Sequence, residues 1–146
     1  MPNLPTRQPR PRLRAANATY FVTWELQRLQ PELSPAERTI VADTLRFFDG
    51  TRYDLHAWVV MNDHVHVVVR PRDTWALDAI VHSWRSFAAN AIFKASTRGA
   101  PLWLRDGYDR VVLIEGEFEE KVRYVQRNPW ERWPELAEYP WVWVAQ

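Results

Sequence analysis

Between Arg52 and Pro71 the chain passes through two stretches of β-branched and aromatic residues separated only by Asn62-Asp63. Strand-forming runs that close together leave room for one arrangement, an antiparallel hairpin with a two-residue turn. The spacing predicts strands over 52–61 and 64–70, with Pro71 closing the second. In that register Met61 faces His64, and Val59 faces His66, across the ladder. Side chains alternate along a strand, so His64 and His66 share one face while Val65, Val67 and Val69 share the other. A two-stranded hairpin is marginal alone, so the rest of the chain must extend and cover it.

The flanking segments supply what such a hairpin needs. Thr19-Tyr20-Phe21-Val22-Thr23-Trp24 reads as a strand over 18–26. Ser34-Pro35-Ala36-Glu37 is a capping box with proline at the first helical position. It predicts a helix to about residue 48, with Ile40, Val41, Leu45 and Phe48 on one stripe and Asp49-Gly50 at its end. Leu77, Ile80, Trp84, Phe87, Ala88 and Ala91 recur at helical spacing within 75–95, ahead of Gly99 and Pro101. A strand over 108–114 and a helix over 117–127 follow, the helix expected to stop at Asn128-Pro129. The order β-α-β-β-α-β-α predicts an α+β domain: a ferredoxin-like antiparallel sheet with packed helices. Three segments result: a Pro/Arg-rich arm over 1–17, the folded domain over 18–129, and a Trp/Pro-rich stretch over 130–146 expected to pack as irregular coil.

Composition narrows the functions such a domain can have. With 146 residues, 47% apolar and 25% charged, the chain reads as one globular domain rather than a disordered one. No apolar run exceeds five residues and no secretory apolar core follows the first residues, so neither a membrane span nor a signal peptide is expected. Without cysteine there is no disulfide, thiolate metal site or cysteine nucleophile, which fits a reducing cytoplasm. Four glycines and no phosphate-cradling loop argue against nucleotide-dependent chemistry. A net charge of +1 is no polycation, yet no acidic residue precedes Glu25, so Arg7, Arg10, Arg12 and Arg14 form a local positive excess. Arginine clamps phosphate bidentately and stacks on flat rings; a bias of genomic base composition gives the same preference over lysine.

Two groups of residues are candidates for chemistry. Imidazoles two positions apart on one strand can share a metal ion, or simply make ordinary hydrogen bonds. In that register His56 falls on the valine face, out of reach of a shared metal, and His82 lies on the second helix, facing solvent or a helix edge. Along the strand only Asp63 is near enough to add a ligand. On the last helix Phe118, Val122 and Val125 form the core stripe, and Tyr124 and Asn128 lie one turn apart beside it. That position suits a working hydroxyl and equally a boundary tyrosine whose ring packs and whose hydroxyl meets water.

Taken in order, several blocks resemble the REP-associated tyrosine transposases, within the single-tyrosine HUH transposases of insertion sequences. The blocks are Ala18 to Thr23, His56-Ala57-Trp58-Val59-Val60-Met61-Asn62-Asp63-His64-Val65-His66 through Pro71, His82-Ser83-Trp84-Arg85-Ser86-Phe87, Leu102-Trp103, Tyr108-Asp109-Arg110-Val111 and Phe118 to Pro129. The resemblance implies that His64 and His66 are metal ligands and that Tyr124, in the pattern Tyr-hydrophobic-x-x-Asn-Pro, is the nucleophile. It implies Asn128 as the third ligand and Mg²⁺ or Mn²⁺ as the cofactor. The implied activity is cleavage of single-stranded DNA beside a palindromic hairpin through a 5′-phosphotyrosine link, followed by strand joining. A hairpin-binding module without cleavage, or a metal-dependent phosphohydrolase in which Tyr124 is dispensable, are the alternatives. Expected partners are a REP-like DNA hairpin and no membrane, with the protein a monomer or homodimer at the nucleoid.

Candidate phosphate contacts are the four N-terminal arginines, Arg70, Arg85, Arg105 and Arg110, with Trp103 and Tyr108 as stacking surfaces for unpaired bases. Two departures from the family pattern stand out. Asn62-Asp63 replaces the usual Pro-Asn before the first histidine, which puts a carboxylate beside the site, and Trp130-Glu131-Arg132-Trp133-Pro134 replaces the usual Val-Lys/Arg-Ala-Gly-Leu-Val.

Overall fold

A computed structural model describes residues 18–146. The elements are β1 (Thr19–Glu25), α1 (Pro35–Phe47), β2 (Tyr53–Val60), β3 (His64–Pro71), α2 (Leu77–Ala95), β4 (Asp109–Leu113), α3 (Glu117–Arg132) and β5 (Val142–Val144). The first seven follow the predicted order, and the sheet runs β4-β1-β3-β2-β5, antiparallel throughout. The hairpin is as its spacing predicts: Val59 pairs with His66, and the Met61 N–H donates to the His64 carbonyl across the turn at 2.8 Å.

Alternation divides the sheet into two faces. Tyr20, Val22 and Trp24 of β1 join Val65, Val67 and Val69 of β3 and Trp58 and Val60 of β2 on the face covered by α1 and α2. There Val41, Leu45, Ile80, Trp84, Ala88 and Ile92 complete the main core. The opposite face carries Ala57, Val59, Met61 and Val68, and α3 covers it with Val125, Val122 and Phe118. The capping box opens α1 as its sequence predicts. The Glu37 N–H donates to Ser34 Oγ at 3.2 Å, and the Ser34 N–H donates to Glu37 Oε1 at 2.9 Å.

Three expectations need correction. The last helix does not stop at Asn128-Pro129 but runs to Arg132. Proline removes one helical donor, but packing outweighs that loss: Trp130 and Trp133 pack against the second core, and the Trp130 indole N–H donates to the Leu136 carbonyl at 3.0 Å. The 130–146 stretch is not all coil, because β5 pairs with β2 and Tyr139 donates to the Val60 carbonyl at 2.7 Å. His56 does not lie on the valine face. The β2–β3 register shifts between Leu55 and Ala57, a bulge that turns the His56 ring onto Phe118 of α3, edge-on at 5.1 Å.

Candidate active site

The face covered by α3 is where the histidine strand and the tyrosine helix meet. β3 presents His64 and His66 toward it, and α3 crosses with Tyr124 and Asn128 one turn apart. The rings of His64 and His66 lie 4.6 Å apart, and the Tyr124 ring stands 5.4 Å from that of His66. Asn128, buried to 9% exposure, brings Oδ1 to 3.3 Å from His64 Nε2. The structure therefore gathers Tyr124, His64, His66 and Asn128 into one site.

Neighbouring side chains set the state of both imidazoles. The Asp63 carboxylate only accepts hydrogen bonds, so at 2.8 Å from His64 Nδ1 it fixes the proton on that nitrogen. In the neutral ring, Nε2 then points a lone pair at the Asn128 amide oxygen. Two acceptors this close need a proton or a cation between them, and that is the donor chemistry a metal ion satisfies. His66 Nδ1 bonds Thr23 Oγ1 at 2.7 Å, because β1 pairs with β3 in a register that sets Thr23 opposite His66. In the tautomer that carries its proton on Nδ1 and donates it to the threonine, Nε2 keeps its lone pair. Burial, the nearby His64 and the charge of Lys121 push the His66 pKa down to about 3, so the ring is neutral at physiological pH, as a ligand must be. Among the described residues no group of three or more His, Cys, Asp or Glu side chains is spaced for a metal. The donor set is two imidazoles and an amide, which suits a divalent ion that takes mixed nitrogen and oxygen ligands.

Around this set Phe21 of β1 stacks on His66 at 5.2 Å and meets Tyr124 edge-on at 5.9 Å. Lys121, one turn before Tyr124, holds its ammonium 4.8 Å from the Phe21 ring and 5.4 Å from the Tyr124 ring. Sequence reasoning did not single out Phe21, Thr23 or Lys121. The helical spacing of Lys121 and Tyr124 was a usable signal for Lys121. Thr23 and Phe21 depend on which strand pairs with β3, which no local pattern states.

The remaining candidates lie elsewhere. Trp103 is buried in the main core, edge-on to Trp24, and its indole N–H donates to the Arg85 carbonyl at 2.9 Å. Tyr108 packs half-buried against the same core with its hydroxyl on Asp78; burial and that carboxylate raise its pKa. Arg85 Nη2 donates to the Leu104 carbonyl at 2.9 Å, and Arg110 pairs with Asp78 at 3.4 Å. Arg70 pairs with Asp54 at 3.0 Å, while Arg105 is exposed with no ion pair among the described residues. His82 is exposed on α2, as expected. Arg7, Arg10, Arg12 and Arg14 lie outside the described residues.

No family model matches the chain, and no curated protein matches it. Solved structures do. A REP-associated tyrosine transposase bound to a REP hairpin superposes with a TM-score of 0.72 at 14% identity, over 86% of this chain and 76% of that one. A candidate transposase from Deinococcus radiodurans R1 superposes with a TM-score of 0.57 at 19% identity, over 76% of this chain and 90% of that one. This chain has the fold of the REP-associated tyrosine transposases.

Proposed function

We propose that the protein is a metal-dependent DNA strand transferase in which Tyr124 is the nucleophile. The observation that supports this reading is the meeting of Tyr124, His64, His66 and Asn128, from two elements far apart in sequence, on one face of the sheet. Tyr124 Oη attacks the phosphorus of a single-stranded DNA linkage. The phenol proton of Tyr124 leaves as Oη bonds phosphorus, the bond from phosphorus to the 3′ oxygen breaks, the 3′ oxygen takes up a proton in exchange, and a 5′-phosphotyrosine remains. Return of a 3′-hydroxyl to that phosphorus releases the tyrosine and rejoins a strand with no external energy source.

A free phenol ionises near pH 10, with a pKa of about 10, so its attack at neutral pH needs help. His64, His66 and Asn128 would hold Mg²⁺ or Mn²⁺. Bound there, the ion supplies positive charge that polarises the scissile phosphate and stabilises the charge developing on it. Asp63 and Thr23 orient the two imidazoles, and Phe21 shields the His66 ring from water. The substrate is a single strand beside a palindromic hairpin, by analogy with the hairpin-bound structure of the same fold. Such a substrate places the protein at the nucleoid.

A labelled hairpin from the flanks of its own gene, incubated with Mn²⁺ and run on a denaturing gel, tests this reading. A denaturant-resistant shifted band, lost in Tyr124→Phe and in His66→Ala, is the expected result. Tight native binding with no such band would replace the transferase with a hairpin-recognition module. Cleavage that survives Tyr124→Phe would indicate a hydrolase working through water.

A further inference from the structure

Lys121 has a placement that the metal set and the nucleophile do not account for. It lies three residues before Tyr124 on the same side of α3, half-buried, with its ammonium over the Phe21 ring at 4.8 Å and beside the Tyr124 ring at 5.4 Å. No carboxylate stands within ion-pair distance of it among the described residues. A lysine is costly to hold in a half-buried position without a partner, and two aromatic faces offset only part of that cost. On the same helix Glu117 accepts the Ile114 N–H, and Glu120 is exposed. A cation so placed, beside a nucleophile and unpaired, is complementary to an anion brought to that nucleophile.

We propose that Lys121 is a catalytic residue that binds a non-bridging oxygen of the scissile phosphate, standing one turn before Tyr124 on α3 as Asn128 stands one turn after it. This rests on the strand-transferase reading and adds a second cationic contact to the linkage under attack. Lys121 keeps its proton throughout. It donates a hydrogen bond to the phosphate oxygen as charge builds during formation of the Tyr124 Oη–phosphorus bond, and holds the same oxygen when the 3′-hydroxyl returns. As a point charge on a flexible stem it follows the phosphate through inversion better than a planar guanidinium would. The Phe21 ring beneath the ammonium holds it beside Tyr124.

The test is a binding cycle on the full-length protein carrying Tyr124→Phe, which keeps the ring and blocks cleavage. Each phosphate of the single-stranded flank is replaced in turn by a neutral methylphosphonate, and affinity is measured with Lys121 and with Lys121→Met. Methionine retains an unbranched stem without the charge, and thermal melts of both proteins verify the fold. At one linkage the methylphosphonate should cost roughly 10-fold more affinity with Lys121 than with Lys121→Met, the difference expected for one charge-assisted hydrogen bond. Lys121→Arg should restore most of the discrimination. Penalties that are the same in both proteins at every linkage would overturn the proposal, as would coupling at a linkage other than the one mapped by the covalent adduct. Adduct formation without coupling leaves the transferase standing and removes Lys121. Coupling without any adduct from the wild-type protein removes the transferase chemistry and retains Lys121 as a phosphate anchor only. Failure of the wild-type chain to bind the hairpin overturns both.

Discussion

The amide oxygen of Asn128 stands 3.3 Å from Nε2 of His64, across 64 positions of sequence. Because Asp63 holds the proton on the other ring nitrogen, the pair is an acceptor facing an acceptor in the neutral state. That relationship makes the site sensitive to cations in a way neither residue would be alone.

Mn²⁺ affinity should therefore fall when either the ligand or its orienting neighbour is removed. Asn128→Ala and Thr23→Val are each expected to weaken Mn²⁺ binding by about 10- to 100-fold, the second through loss of the hydrogen bond to His66 Nδ1. Calorimetric titration of the DNA-free protein measures this. Unchanged affinity in Asn128→Ala would remove it from the ligand set.

Arg98 and Glu37 provide a stability test away from the site. Arg98 donates to both carboxylate oxygens of Glu37, at 2.6 and 2.9 Å, and to the backbone carbonyls of Pro31 and Glu32. The hydrogen bond from Arg98 holds the Glu37 pKa below its ordinary value. A lowered folded-state pKa means stability that is fully present above the unfolded carboxyl value and lost as pH falls through the folded one. Arg98→Ala should cost about 3 kcal/mol at neutral pH, and the acid-side loss below about pH 4.3 should flatten. Urea unfolding across pH 3 to 7 reads both.

Tyr139 tests whether the C-terminal stretch belongs to the folding unit. Its hydroxyl donates to the buried Val60 carbonyl at 2.7 Å, and its ring belongs to the second core with Ala57, Val59 and Met61. Tyr139→Phe should destabilise by about 1 to 2 kcal/mol through the carbonyl left unpaired. Tyr139→Ala should cost about 3 kcal/mol or more by also opening the second core. Equal and small losses would mean the stretch contributes little to the core.

Salt dependence of DNA binding separates free cations from engaged ones. Arg105 is exposed and unpaired among the described residues, whereas Arg70 is held by Asp54. Arg105→Ala should lower the slope of log affinity against log salt by about 1. Arg70→Ala should change it less, because its guanidinium is already engaged by Asp54, which also holds Arg72. Fluorescence anisotropy on the hairpin at several salt concentrations measures the slopes, and equal slopes in both variants would contradict the distinction.

What the amino-acid sequence determined by itself was whatever rests on contacts between near neighbours. The two-residue turn at Asn62-Asp63 defined the β2–β3 register and thereby put Val59 opposite His66. The capping box started α1 at Pro35, and apolar spacing placed α2 and the Tyr124 side of α3. These are local because each hydrogen bond or rotamer involved closes within a few residues. The tertiary structure decided the rest, where the stabilising contact comes from a distant segment. Thr23 reaches His66 only because β1 pairs with β3, across 43 positions. The bulge that moves His56 to Phe118 rests on that packed sheet, and α3 continues through Pro129 because Trp130 and Trp133 bury against it. Burial of aromatic surface outweighs the single hydrogen bond a proline removes, so at Pro129 the local signal for a helix end gave way to the packing of the whole.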